Sequence, residues 1–254
     1  MAALGLSEVQ LLSAGVVFLR VGAAVAVLPV VGERVVPMRV RLVLALAMTA
    51  AILPIVGSGL DLSGATPAQM VIYLGTEVIH GLAVGMMLRL FVIALQVAGS
   101  IAAQSTSLSQ LFGGAAVEPQ PAIGHVLVTG GLALFVTFGL HVRAVEFLVL
   151  SYDVLPAGTL APASDLAQWG VTRIGHAFAL GFSLATPFVV ASLIYNIALG
   201  AINRAMPQLM VSFVGAPAIT AGGLILLALS APIMISVWLG AVSGFLVNPF
   251  GGSP

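Results

Sequence analysis

"MVIYLGTEVIHGLAVGMMLRLFVIALQVAGSIAA", residues 70–103, stays apolar for far longer than a bilayer requires. As one helix rising about 1.5 Å per residue it would be roughly 50 Å long, against a hydrocarbon core of about 30 Å. It also carries Glu77, His80 and Arg89. A helix this long and this charged must tilt, bend, or lie partly inside a protein assembly.

The whole chain is of the same character. Hydrophobic residues make up 60% of its 254 positions and charged residues 6%. Mean hydropathy is +1.20. Soluble domains carry about 25% charged residues. This chain cannot cover itself with polar groups, so it belongs in or against a membrane. Arginines and carboxylates balance to zero net charge, and no basic patch invites nucleic acid. Cysteine is absent, which excludes disulfides, thiol catalysis and thiolate metal sites. No arginine or lysine precedes the first apolar run, "MAALGLSEVQLLSAGVVFL", so no cleaved signal is expected there and the first helix should stay.

Six apolar blocks stand out, at 9–31, 41–57, 70–103, 124–150, 173–202 and 211–247. They predict an all-α, polytopic membrane protein of helical hairpins. Between them, 58–69 and 151–172 hold Asp, Gly, Pro and Ser, as turns do. Residues 104–122 (QSTSLSQLFGGAAVEPQPA) form a long polar, Gly-rich segment. A six-span count places Arg34, Arg39, Arg41 and Arg204 on one side and Arg143 and Arg173 on the other. The positive-inside rule makes the first set cytoplasmic. One domain is expected over 1–254. Residues 1–172 would be its N-terminal helical part, and 173–254 a C-terminal hairpin around 203–217.

Arg20 lies near the middle of the first block. An arginine at a bilayer centre costs about 2.5–3.5 kcal/mol, so it should face protein, water or a carboxylate. Glu77 is a plausible partner. Such a pair is either structural or part of a transport path, and nothing near it suggests a translocated ion. Glu77-x-x-His80 has the spacing of di-iron bundles, but those need a second copy and two further carboxylates. His125, His141 and His176 are isolated, so no metal site and no cofactor is expected. No HExxH, phosphate loop or nucleophile elbow occurs, and Gly181-Phe-Ser183 lacks the following glycine. Enzymatic activity is not expected. Gly81-x-x-x-Gly85 and Gly240-x-x-x-Gly244 suit close helix packing, within this chain or with another.

Between the last two blocks lies "NRAMPQLMVSFVGAP", residues 203–217. Pro207 and Pro217 push the residues before them away from helix. Asn203, Arg204 and Gln208 can satisfy backbone groups left open at a helix end. The segment is a polar turn, or a break lining a cavity.

Extended to "ALGAINRAMPQLMVSFVGAP", this stretch resembles the signature of the FliR family of flagellar export-gate proteins and their virulence type III secretion relatives. The matching positions are Ala198, Leu199, Gly200, Asn203, Arg204, Pro207, Gln208, Val211, Gly215 and Pro217. "FLRVGAAVAVLPVVGERVVPMRVRLVLALAM" resembles the family's opening, "FGLHVRAVEFLVLSYDVLPAG" its Ser-x-x-x-x-Pro stretch (Ser151, Pro156), and "GFSLATPFVVASL" its Pro187 helix. Met210 and Ser212 depart from it, as do Gln104-Ser-Thr and Glu118-Pro119 in the loop.

The resemblance implies a structural pore subunit of the type III protein export gate. One copy would join several FliP and FliQ homologues in a hetero-oligomeric helical cone, with a FlhB homologue associated. The gate would pass unfolded flagellar substrates across the bacterial inner membrane, at the flagellar basal body. It further implies that 104–122 is a plug loop, with Gln104, Gln110, Phe112, Gly113, Gly114, Glu118 and Pro119. Asn203, Arg204, Pro207, Gln208, Gly215 and Pro217 would sit at subunit contacts. An injectisome subunit is the nearest alternative. A secondary transporter is a more distant one, since no inverted repeat is visible.

Overall fold

A computed structural model of the chain describes residues 8–60, 62, 64–106, 122–206 and 211–250. Among the described residues seven α-helices follow one another: α1 (Glu8–Val27), α2 (Met38–Val56), α3 (Pro67–Thr106), α4 (Ala122–Thr137), α5 (Leu140–Val154), α6 (Ala163–Ala205) and α7 (Val211–Val247). No strand occurs among the described residues. Among the described residues five helices are long and apolar enough to cross a membrane, and α4 and α5, bent by 75° at a short break, together form either one broken span or a re-entrant loop. The chain is a multi-pass helical membrane protein.

The helices start and stop for local reasons, and some boundaries differ from the block limits. The apolar block at 70–103 is indeed one helix, but α3 begins earlier. Thr66-Pro-Ala-Gln69 is a capping box. The Gln69 side-chain oxygen accepts from the Thr66 backbone N–H at 2.8 Å, and the Gln69 N–H donates back to Thr66 Oγ1 at 3.4 Å. Pro67 takes the first helical position, where its missing N–H costs nothing. Likewise 151–172 is not all connection. Helix α5 runs to Val154, and α6 starts at Ala163. The N–H groups of Asp165 and Leu166 donate to Pro162 O at 3.0 and 3.1 Å, and Asp165 complements the helix dipole in the first turn. The block at 124–150 splits at Phe138–Gly139. Gly139 has φ +71, a left-handed turn that glycine adopts without strain.

The chain groups into two compact units whose boundaries fall inside helices. The first comprises the described residues of Met1–Leu90, Phe135–Arg173 and Ser243–Pro254; the second those of Phe91–Leu134 and Ile174–Val242. In the first unit, α1 buries Val17, Val21 and Ala24 completely. Gly81 and Gly85 of α3 let α1 approach closely. A Cβ on Gly81 would collide with Arg20 O, and one on Gly85 would lie 2.7 Å from Ala24 O. Phe147 of α5 meets Phe245 edge-on and Phe250 at a tilt, both with ring centroids 5.3 Å apart, and Trp169 stacks on Phe250. Helix α2 buries only Ala45, Thr49 and Ile52, one narrow stripe at helical spacing.

In the second unit, Gly99 of α3 and Gly124 of α4 bring two backbones into contact, and a Cβ on Gly99 would overlap Gly124 Cα. A Cβ on Gly181 of α6 would lie 2.9 Å from Ala94 O. Trp238 of α7 is buried and donates its Nε1–H to Phe91 O at 2.8 Å. Glycine thus sets the distance to three neighbours along α3.

Gly81→Val forces the branched side chain into the α1 backbone rather than into a movable side chain. Overpacking of this kind costs about 1–3 kcal/mol. The variant is expected to unfold at a clearly lower temperature in detergent. An unchanged melting temperature would refute the α1–α3 contact.

Candidate functional site

The sequence singled out Arg20 and Glu77, 57 residues apart. They meet inside the first unit with no exposed surface on either. Arg20 Nε donates to Glu77 Oε2 at 2.8 Å, and Nη2 donates to Oε1 at 2.7 Å. This is a bidentate fork, the strongest form of the pair. The geometry follows from the glycines: without side chains at Gly81 and Gly85, α1 lies close enough for the fork to close.

Four further groups complete the site. Arg20 Nη1 donates to Ser151 Oγ at 3.2 Å, and Nη2 donates to Leu155 O at 2.8 Å. His80 Nδ1 lies 3.0 Å from Nη2. Since a guanidinium only donates, Nδ1 here must accept, which puts the proton of a neutral ring on Nε2. Nη2 has two hydrogens and three acceptors, so at least one is shared. The guanidinium carbon also sits 3.7 Å from the Tyr152 ring centroid.

Sequence reading named Ser151 only within a family stretch and His80 only beside Glu77, and it missed Tyr152 and the Leu155 carbonyl altogether. The signal was present in "SYDVLP", residues 151–156. Pro156 forces Leu155 out of helix, to φ −120 and ψ 76. The helix therefore ends there, and its last carbonyls lose their intrahelical donors. Arg20 supplies a donor for one of them. Ser151 Oγ donates to Leu148 O at 2.6 Å and so keeps its lone pairs for Arg20.

A second ion pair, weaker in burial, joins Arg89 of α3 to Glu33 in the α1–α2 connection, each about one quarter exposed. Gln104 is exposed near the end of α3. Gln110, Phe112, Gly113, Gly114, Glu118 and Pro119 lie outside the described residues, as do Pro207 and Gln208. Asn203 and Arg204 are exposed in the last turn of α6, where a cation favours the dipole. Gly215 and Pro217 fall within α7. Helix α6 runs to Ala205 and α7 starts at Val211, so 203–205 and 211–217 are helical. His125, His141 and His176 are exposed, and no three metal-ligating side chains gather among the described residues.

Chemically the hub holds rather than reacts. The Glu77 carboxylate, Ser151 Oγ, His80 Nδ1 and the Leu155 carbonyl all serve that one cation, and the Ser151 hydroxyl is tied to a carbonyl instead of facing a base. The class defined by fold and site is a multi-pass helical membrane protein with an internally neutralised charge cluster. The chain belongs to the family "Bacterial export proteins, family 1", whose model matches residues 11–245. It is 36% identical over 235 residues to the flagellar biosynthetic protein FliR of Caulobacter vibrioides, covering 90% of this chain and 92% of that one. It is 30% identical over 230 residues to FliR of Escherichia coli, covering 85% and 83%, and 29% identical over 234 residues to FliR of Aquifex aeolicus, covering 90% and 88%. It is a membrane subunit of a flagellar biosynthetic export apparatus.

Removing one member of a buried pair strands the other, at a cost of about 3–5 kcal/mol, whereas an apolar replacement of both is often near neutral. Arg20→Met and Glu77→Met are each expected to destabilise strongly, and the double variant to recover much of the loss in thermal melts. Additive losses in the double variant would show that the two do not act as a pair.

Proposed function

We propose that this chain is a pore subunit of the flagellar type III protein export gate. In this reading one copy assembles with FliP and FliQ homologues in a helical cone, with a FlhB homologue associated. The gate passes unfolded flagellar substrates across the bacterial inner membrane, within the flagellar basal body. The observation carrying the reading is a mismatch of length and surface. Helices α3, α6 and α7 have 40, 43 and 37 residues. That makes them about 60, 65 and 55 Å long, roughly twice a bilayer's hydrocarbon core. Large apolar side chains stay exposed along them, from Val171 to Ile202 on α6 and from Leu224 to Val247 on α7. Lipid can cover only part of such lengths, and water can cover none of it favourably. Other protein chains are the remaining solvent.

The flagellar system is favoured over an injectisome because the similar proteins named above are all flagellar. Support for a plug at 104–122, and for subunit contacts at Asn203, Arg204, Pro207, Gln208, Gly215 and Pro217, comes from the resemblance in sequence. Deleting 106–116 is expected to raise the conductance of the closed gate. Unchanged conductance would remove the plug assignment.

The test of the whole reading is native mass spectrometry of the tagged chain, co-expressed with FliP and FliQ homologues from its own source and extracted in mild detergent. A mixed particle with one copy of this chain is expected. A stable particle of this chain alone, with both partners left behind, would overturn the proposal.

A further inference from the structure

The connection between α1 and α2 is braced from within. Val30 has φ +71, a strained value for a β-branched residue, which persists only where its surroundings enforce it. Gly32 N–H donates to Leu28 O at 2.7 Å, and Val36 N–H to Glu33 O at 2.9 Å. The Arg41 side chain donates to Glu33 O and, at 3.2 Å, to Val36 O. The Glu33 carboxylate is held by Arg89 of α3. The acceptors of this connection thus serve Arg41 and Arg89.

Arg34 and Arg39 are served by none of them. Both are exposed, and neither side chain makes an ion pair or hydrogen bond with the described residues. The arginines inside the fold show what such a group takes when it can: Arg20 holds Glu77 in a fork, and Arg89 holds Glu33. Between Arg34 and Arg39 stand Val35, 92% exposed, and Met38, 74% exposed. These are the two most exposed large apolar side chains among the described residues. Pro37 lies between them, also exposed, and its ring holds φ at −59 without an N–H to satisfy. Bare apolar side chains flanked by guanidiniums have the make-up of a protein–protein contact, where arginine and methionine are enriched and a few residues carry most of the energy.

We infer that residues 34–39 dock an acidic segment of a neighbouring protein chain in the export apparatus. Arg34 and Arg39 each take a carboxylate of that segment, and an apolar residue between the carboxylates covers Val35 and Met38. Guanidinium and carboxylate meet as two planar forks joined by parallel hydrogen bonds, as at Arg20 and Glu77. The braced backbone holds this surface ready, so that little further ordering is needed on binding. The inference rests on the export-gate reading above and gives the chemistry of one contact that such an assembly needs.

The test places the photo-crosslinker benzoylphenylalanine at position 38 of the full chain, co-expressed with the FliP, FliQ and FlhB homologues of its own source. After irradiation the joined peptides are sequenced by mass spectrometry. The expected product links position 38 to another chain within a few residues of Asp or Glu. Arg34→Gln with Arg39→Gln is expected to lower its yield about tenfold. The melting temperature of the isolated chain should not change, since neither side chain is used inside the fold. Arg34→Glu with Arg39→Glu should abolish the product, and replacing the linked carboxylates by arginine should restore it. Links only to lipid or detergent, to a second copy of this chain, or to a segment without carboxylates would overturn the inference. So would an unchanged yield, or a lowered melting temperature, in the double glutamine variant. If the parent forms no mixed particle with these homologues, the export-gate reading falls and the inference with it. If the particle forms and the link misses an acidic segment, the inference alone falls.

Discussion

A guanidinium shut away from water must find every partner in protein, and the first unit is arranged around that demand. Arg20 draws a carboxylate from α3, a hydroxyl and a terminal carbonyl from the end of α5, and the face of a tyrosine. Remove any one, and a buried donor or acceptor is left at a cost of about 1–3 kcal/mol. The hub therefore dictates backbone features that look unrelated to charge. Gly81 and Gly85 exist to bring α1 within reach, and Pro156 ends α5 where a free carbonyl is needed. Apolar packing alone would allow these helices to slide, because methyl groups fit many registers. A bidentate fork fits one.

The second unit reaches definite packing with no buried charge among its described residues. Its devices are Gly99 against Gly124, Gly181 against Ala94 O, and the Trp238 indole on Phe91 O. Backbone contact over small residues gives close van der Waals packing, and a single directed hydrogen bond sets the rotation of α7 on α3. The two units thus solve one problem, uniqueness within an apolar sequence, by different means. Specificity through a polar network suits a place where three elements meet. Specificity through glycine suits long helices that lie side by side.

Much of this was legible in the residues. Length and composition reveal membrane helices, and the 70–103 block really is a single helix within α3. Arg20 was conspicuous because charge is rare here, and Glu77 was the available partner. Less visible were the boundaries. Thr66 to Gln69 reads as loop until the capping box is noticed, and Pro162 to Asp165 reads as turn until seen as a helix start. The bend at Gly139 had no special signal, since glycine is frequent throughout. Ser151, Tyr152 and the Leu155 carbonyl were hidden for a deeper reason. A hydroxyl, an aromatic ring and a backbone oxygen are ordinary anywhere, and only proximity to a buried cation gives them a role.

Exposed apolar residues pose the opposite problem from Arg20. Phe178, Phe182, Leu193 and Ile197 of α6 are each more than half exposed in the isolated chain. A soluble helix would show a polar face on that side, which marks its solvent. From Ala177 to Ile194 the helix carries no charged residue on any side, so sequence pattern cannot separate lipid-facing from protein-facing residues there. Length can. A hydrocarbon core of about 30 Å accepts roughly 20 residues of α6, and the remainder must be covered by something other than lipid. Its folding free energy then includes binding free energy, as for obligate oligomers whose stability cannot be separated from their partners. Substitutions at the Arg20 hub or the Gly99 contact act on each unit's own packing. Substitutions along the bare face of α6 act only once that face is covered, and would pass unnoticed in the isolated chain.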